Sequence, residues 1–277
     1  EIAQCLVGSE MCIRDRNMHR VLIDMIGICP ADKYGLVLWS HASSWLPVGF
    51  QTRSFGEEKG MQMDIMELSD ALPVKFDFIL FDACLMGAVE VAYELKDNAD
   101  YIIASSTETL YTGFPYDMII PDLMAVSPDL QKVAKKYMDY YQQLMGIYRS
   151  ATISVINTRE LEKLAQITSS LLAGNSINWG LFKRSIVQRL DNYEEQYLFD
   201  FSDFMHKAFI GNQIELFDNQ LKKVVLYKAN TDEFMGEFLI TTYCGLSSYI
   251  PLISRSDLNN YYQKLKWCKD SGYRNLF

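Results

Sequence analysis

The spacing of apolar and polar positions changes several times along this chain. From Tyr34 to Trp39 and from Phe76 to Phe81 the residues are almost continuously apolar. Short unbroken runs of this kind suit strands buried on both faces. Between them the spacing becomes helical. Val21, Leu22, Met25 and Ile28 predict a helix over Arg20–Ile28 that Pro30 ends. Ile65, Leu68 and Leu72 predict one over Asp64–Leu72, and Leu85, Val89, Ala92 and Leu95 one over Leu85–Leu95. Tyr101–Ala104 is a third strand. The polar stretch from Leu46 to Gly60 carries the breakers Pro47, Gly49, Gly56 and Gly60 and reads as a loop. The order β-α-β-α-β with continuous apolar strands predicts a mostly parallel sheet with helices on both faces.

Later in the chain the same reading predicts helices over Asp129–Tyr141 and Arg159–Leu172, and a structural helix from Trp179 to Tyr197. Strands are expected at Thr152–Ile156, Val224–Tyr227, Phe238–Thr242 and Ser248–Ile250. No internal repeat and no Pro/Ser-rich linker divides the chain. One domain is therefore expected, with residues 17–150 as its core and 151–277 as its continuation.

Composition narrows the classes. Of 277 residues 49% are hydrophobic, which supports a large core, and the formal charge is −9. An acidic chain without a Lys/Arg cluster argues against nucleic acid and anionic membrane surfaces as partners. No apolar stretch approaches the roughly 20 residues of a membrane span. Residues Cys5–Arg16 resemble translated sequencing-adapter read-through. Residues 1–16 are thus expected not to be native, with Cys5 and Cys12 set aside and any export signal lost. Cys29, Cys84, Cys244 and Cys268 then remain, widely spaced and without a C-x-x-C pair, which is neither a disulfide framework nor a zinc site. Three histidines are too few for a His-rich metal cluster.

Two reactive side chains stand just past the two apolar runs: His41 after the first and Cys84 after the second. Parallel α/β proteins place functional groups at the carboxyl ends of their strands, so the two could form a thiol–imidazole pair. A helix starting after Cys84 would turn its free N–H groups to the sulfur and lower the thiol pKa. Taken singly, Cys84 is as readily a small buried hydrophobe and His41 a packed histidine. The small residues Ala42, Ser43 and Ser44 would let a substrate approach the backbone and leave N–H groups for an oxyanion. Asp82 can share a side with Cys84 because side chains alternate along a strand. There it would attract a Lys or Arg side chain, or else cap the following helix. Ser105 and Ser106 follow the third strand at the same sheet edge, either as a pocket wall or as ordinary turn residues. The segment Tyr111–Tyr116, with Gly113 and Pro115, reads as a shaped loop nearby.

Several of these segments together resemble the clostripain family of cysteine peptidases. They are Pro30–His41 with Trp45, Phe81-Asp82-Ala83-Cys84-Leu85-Met86-Gly87, Ala104–Glu108 with Gly113–Tyr116, and Cys244–Pro251. The resemblance runs from about Asn17 to the C-terminus. It implies a caspase-like α/β sandwich with Cys84 as nucleophile and His41 as general base and acid. It implies an oxyanion hole from the N–H groups of Cys84 and Ala42. Asp82, with Ser105 and Ser106, would hold an Arg or Lys preceding the cleaved bond. Self-processing between the His and Cys segments is implied, with Arg53 and Lys59 as candidate cut sites. No cofactor is required for this chemistry, although calcium affects some relatives. The resemblance further implies polypeptide substrates, a bacterial protein that is exported, periplasmic or lipid-anchored, and, we expect, a monomer. Two departures stand out: the family's first strand is absent before Asn17, and Ala42 replaces a glycine usual after the histidine. The second departure keeps an alternative open, a catalytically weakened relative acting as a binding or surface protein.

Overall fold

The structure, a computed structural model, describes residues 17–48, 50, 55–58, 61–174, 177, 181–209 and 213–277. A helix over 17–28 (α1) precedes strand β1 (Gly35–Trp39), a two-stranded ladder of β2 (Phe55–Glu58) and β3 (Met61–Met63), helix α2 (Ile65–Ala71) and strand β4 (Phe76–Asp82). Next come α3 (Val89–Glu94), β5 (Ala99–Ala104), α4 (Tyr116–Leu123), α5 (Leu130–Gln142), β6 (Thr152–Asn157) and α6 (Leu161–Gly174). The remainder is β7 (Leu198–Asp200), α7 (Phe201–Ala208), α8 (Gln213–Val224), β8 (Val225–Asn230), β9 (Glu233–Phe234), β10 (Phe238–Leu239), β11 (Ser247–Tyr249), α9 (Ser256–Tyr262) and α10 (Lys266–Asp270).

The central sheet has the order β1-β4-β5-β6-β8. The pairs β1–β4 and β4–β5 are parallel, and β5–β6 and β6–β8 antiparallel, so four of the five strands point one way. Strands from both sides of residue 150 pair in this one sheet. The alternation of side chains divides two cores. Ile79, Phe81 and Ile102 face a large core that takes in residues of α2, α3, α6, α7 and α9. Phe78, Leu80, Ile103, Ile153 and Val155 face a second core closed by α4 and α5, through Ile119, Val133, Tyr137 and Tyr141. This is the expected helix–sheet–helix sandwich. No helix among the described residues is long and apolar enough to cross a membrane.

Several elements differ from the expectation. Among the described residues β1 is an edge strand, not a doubly buried one: Leu38 alone is buried and Trp39 is 76% exposed. Of the face expected on the first helix, Leu22 packs on the core while Val21, Met25 and Ile28 are exposed. Helix α3 starts at Val89 rather than Leu85. The N–H groups of Leu85 and Gly87 bond instead to the carbonyls of Thr107 (2.9 Å) and Ser105 (2.7 Å), and Leu85 has φ +65°, which no helix can include. Among its described residues, the stretch expected as a helix up to Tyr197 holds a single 3₁₀ turn at Arg184–Ile186. Its backbone is gathered by the buried carboxylate of Asp191, which accepts from the N–H groups of Tyr193 (3.0 Å), Tyr197 (2.7 Å) and Leu198.

A second buried carboxylate ties the C-terminal strands to α3. Oε1 of Glu90 accepts from Tyr262 Oη (2.7 Å), Tyr249 N (2.9 Å) and Ser248 Oγ (3.2 Å), while Oε2 has no hydrogen-bond partner. Burial raises its pKa to about 7 despite these bonds. The unfolded carboxyl ionises first, near its ordinary value, so stability is lost as pH rises from about 4.5 towards 7. Glu90→Gln is expected to escape this loss. The difference in thermal midpoint, variant minus wild type, should move in the variant's favour between pH 5 and pH 8; a difference independent of pH would refute the assignment.

Candidate active site

The site is set by one register. β1 and β4 run parallel with Trp39 opposite Asp82, and the N–H of Ser40 reaches the carbonyl of Asp82 at 3.4 Å. His41 lies two residues past Trp39 and Cys84 two past Asp82. Adjacent strands are about 4.8 Å apart, so the exposed His41 and the half-buried Cys84 leave the same end of neighbouring strands side by side.

The loop after His41 is packed tightly. Ala42, Ser43, Ser44, Trp45 and Leu46 are all buried. Trp45 is lodged edge-on against Tyr249 and Tyr262, with ring centroids 5.0 and 4.7 Å away. The small residues therefore serve packing as much as access. Four described non-glycine residues have positive φ, namely Ser44, Leu85, Gln196 and Met235. Ala42 is not among them, so alanine in place of glycine brings no left-handed strain there.

Cys84 is held differently from the expectation. α3 begins five residues later, so the sulfur does not sit at the first turn of a helix starting directly after it. Its partner is the backbone of Thr109: Thr109 N donates to Sγ at 3.3 Å, and Sγ lies 3.7 Å from Thr109 O. The Thr109 hydroxyl also donates to Ala83 O at 3.2 Å. Burial pushes the thiol above its ordinary value, the Thr109 N–H opposes this, and the carboxylates of Glu108 and Asp82 add to the rise. Burial and the neighbouring carboxylates thus favour the thiol over the thiolate. The left-handed Leu85 turns the chain immediately after it, and strain of this kind gathers at functional positions.

Asp82 is 3% exposed. Its Oδ2 accepts from Tyr116 Oη at 2.8 Å and Phe114 N at 3.3 Å. It does not cap α3, whose N-cap is Ala88. Burial raises its pKa, and the two hydrogen bonds oppose the rise. No cationic side chain among the described residues pairs with it. Ser105 and Ser106 are fully buried. The Ser105 hydroxyl meets Thr107 O and Thr152 Oγ1, and that of Ser106 meets Gly87 O and Tyr243 Oη. They brace the wall from behind and present no surface to a ligand. Arg53 and Lys59 lie outside the described residues.

Thr109 joins the site without having been singled out by the sequence; Phe114 and Tyr116 come from the loop that its glycine and proline marked as shaped, though neither was given a role. Glu108 joins them: its Oε2 is buried without a hydrogen-bond partner, and burial raises its pKa to about 7. Among the described residues no group of three or more His, Cys, Asp or Glu is arranged to hold a metal ion.

Comparison with known proteins bears on this arrangement. The chain matches the clostripain family model over residues 12–274. It is 34% identical to an inactive zymogen C11 protease from Parabacteroides distasonis, with a TM-score of 0.83 over 93% of this chain and 75% of that one. It is 30% identical to a secreted C11 cysteine protease from Bacteroides thetaiotaomicron, solved with an irreversible peptide inhibitor, with a TM-score of 0.82 over 94% of this chain and 78% of that one. Clostripain from Hathewaya histolytica is 42% identical over 66 residues, which are 21% of this chain and 12% of clostripain.

The electrostatics around the sulfur can be tested directly. Glu108 opposes the thiolate as it ionises, so Glu108→Gln should lower the Cys84 pKa. The pH profile of Cys84 alkylation by iodoacetamide is expected to move to lower pH in the variant. A profile that stays put or moves up would remove Glu108 from the site's electrostatics.

Proposed function

The chain belongs to the clostripain family, and from that membership we propose that it is a cysteine endopeptidase cleaving after Arg or Lys with a Cys84–His41 dyad. The observation that carries the specificity is Asp82: a carboxylate buried two residues from the sulfur, with no cation paired to it among the described residues. A buried charge lacking a partner is costly, and a basic side chain of a substrate would supply one. The same contact would hold the bond after that side chain against Cys84, which is the positioning that accelerates a bond-breaking step.

In this reading His41 removes the proton from the Cys84 thiol, whose raised pKa makes a base necessary. The thiolate attacks the carbonyl carbon, and the N–H groups of Cys84 and Ala42 receive the oxyanion. His41 then gives its proton to the leaving amine as the C–N bond breaks, leaving a thioester. Water, deprotonated by His41, attacks the thioester, and the sulfur departs and recovers the proton. Self-cleavage at Arg53 or Lys59 is part of the proposal and would fall between the segments bearing His41 and Cys84. The secreted B. thetaiotaomicron relative supports action outside the cytoplasm. The catalytically weakened alternative rested on Ala42, and the absence of left-handed strain at that residue supports the active reading over it.

The test uses fluorogenic peptides differing only in Arg, Lys or a neutral residue before the cleaved bond. Cys84→Ala is expected to reduce turnover to background and to leave the chain uncut on mass spectrometry. Asp82→Asn is expected to lower kcat/KM on basic peptides by on the order of 10²-fold, the effect of removing one member of a buried charge pair. Absence of Cys84-dependent cleavage of any peptide would sink the peptidase reading. An unchanged preference in Asp82→Asn would sink the role given to Asp82.

A further inference from the structure

The two oxygens of Asp82 are not equivalent, and this rests on the reading of Asp82 as the group that meets a basic side chain. A carboxylate oxygen has about two lone-pair sites. Both sites of Oδ2 are engaged, one by the Tyr116 phenol at 2.8 Å and one by the Phe114 N–H at 3.3 Å. Burial and the Asp82 carboxylate raise the Tyr116 pKa, so the phenol stays a donor throughout the working pH range. The 110–116 loop is also laid across this edge of the carboxylate. A Cβ on Gly113, which has φ +60°, would sit 2.6 Å from Oδ2 and 3.0 Å from Oδ1. Oδ1 has no protein hydrogen bond among the described residues, so it is the oxygen whose acceptor sites are left for a ligand.

The geometry points to Tyr116 as a specificity-determining residue that tilts the site towards Lys over Arg. A guanidinium gains from carboxylates by presenting two parallel N–H groups to two oxygens, whereas an ammonium is a point charge that one oxygen can meet. With Oδ2 filled, the guanidinium loses its second contact and must desolvate an N–H that finds no acceptor. The ammonium loses nothing. Asp82 thus supplies the charge, and Tyr116 decides which cation uses it well.

The experiment compares kcat/KM on two peptides that differ only in Lys or Arg before the cleaved bond, with the norleucine peptide as the neutral reference. The wild type is expected to favour Lys. Tyr116→Phe frees one site on Oδ2, and the Lys:Arg ratio should fall by on the order of tenfold, the weight of one hydrogen bond to a charged group, chiefly through improved use of Arg. A wild-type preference for Arg overturns the inference by itself, whether or not the variant folds. A folded Tyr116→Phe with an unchanged ratio, while both basic peptides still beat norleucine, also overturns it and leaves the general Arg/Lys reading standing. Norleucine cleaved as well as Lys and Arg would overturn both.

Discussion

Everything at this site hangs on the parallel pairing of β1 with β4. With Trp39 opposite Asp82, the two strands end level, and the chain is released into loops at the same height. Because side chains alternate along strands, a one-residue slip would send each group to the opposite face. The register is defended unequally. β4 is buried through most of its length, whereas β1 contributes one buried residue, Leu38, with Leu36 packed against the core and partly buried. The nucleophile's strand is the fixed reference, and the histidine's strand is aligned to it.

A second alignment runs crosswise. The backbone from Ser105 to Thr109 lies beside that from Ala83 to Gly87, joined by Leu85 N to Thr107 O, Gly87 N to Ser105 O and the Thr109 contacts to Cys84 and Ala83. The buried hydroxyls of Ser105, Ser106, Thr107 and Thr152 back this ladder. The pocket role expected of Ser105 and Ser106 is thereby transferred to what they support. The sulfur receives backbone N–H donation, but from a neighbouring loop and not from a helix end. Burial and two carboxylates outweigh this backbone donation, which is why the thiol pKa is raised and not lowered.

The strand cores, the sheet's mostly parallel character and the positions of His41, Asp82 and Cys84 were legible because they follow from unbroken apolar runs and from alternation. The start of α3 was not, since the apolar residues from Leu85 onward fit a helix equally well; only the carbonyls of Ser105 and Thr107, distant in sequence, decide against it. Asp191 defeated the expected helix before Tyr197 in the same way, by a tertiary claim on three N–H groups. Helix α4 was hidden by Pro121 within it. In α7 the cap is Asp200, which also accepts from Cys244 N, a partner that no local pattern announces. Tyr116 belongs to the site through Asp82, a contact between positions 34 residues apart.

Trp45 carries a consequence for how the molecule comes into being. Its indole seats the loop after His41, yet the rings beneath it belong to Tyr249 and Tyr262, near the far end of the chain. Contacts between segments so far apart in sequence form late in folding, because the long intervening loop must close before they are rewarded. The sheet that carries His41 and Cys84 can therefore pair before the floor of the histidine loop arrives. The two reactive groups gain a settled geometry only when the region of Tyr249 and Tyr262 has docked.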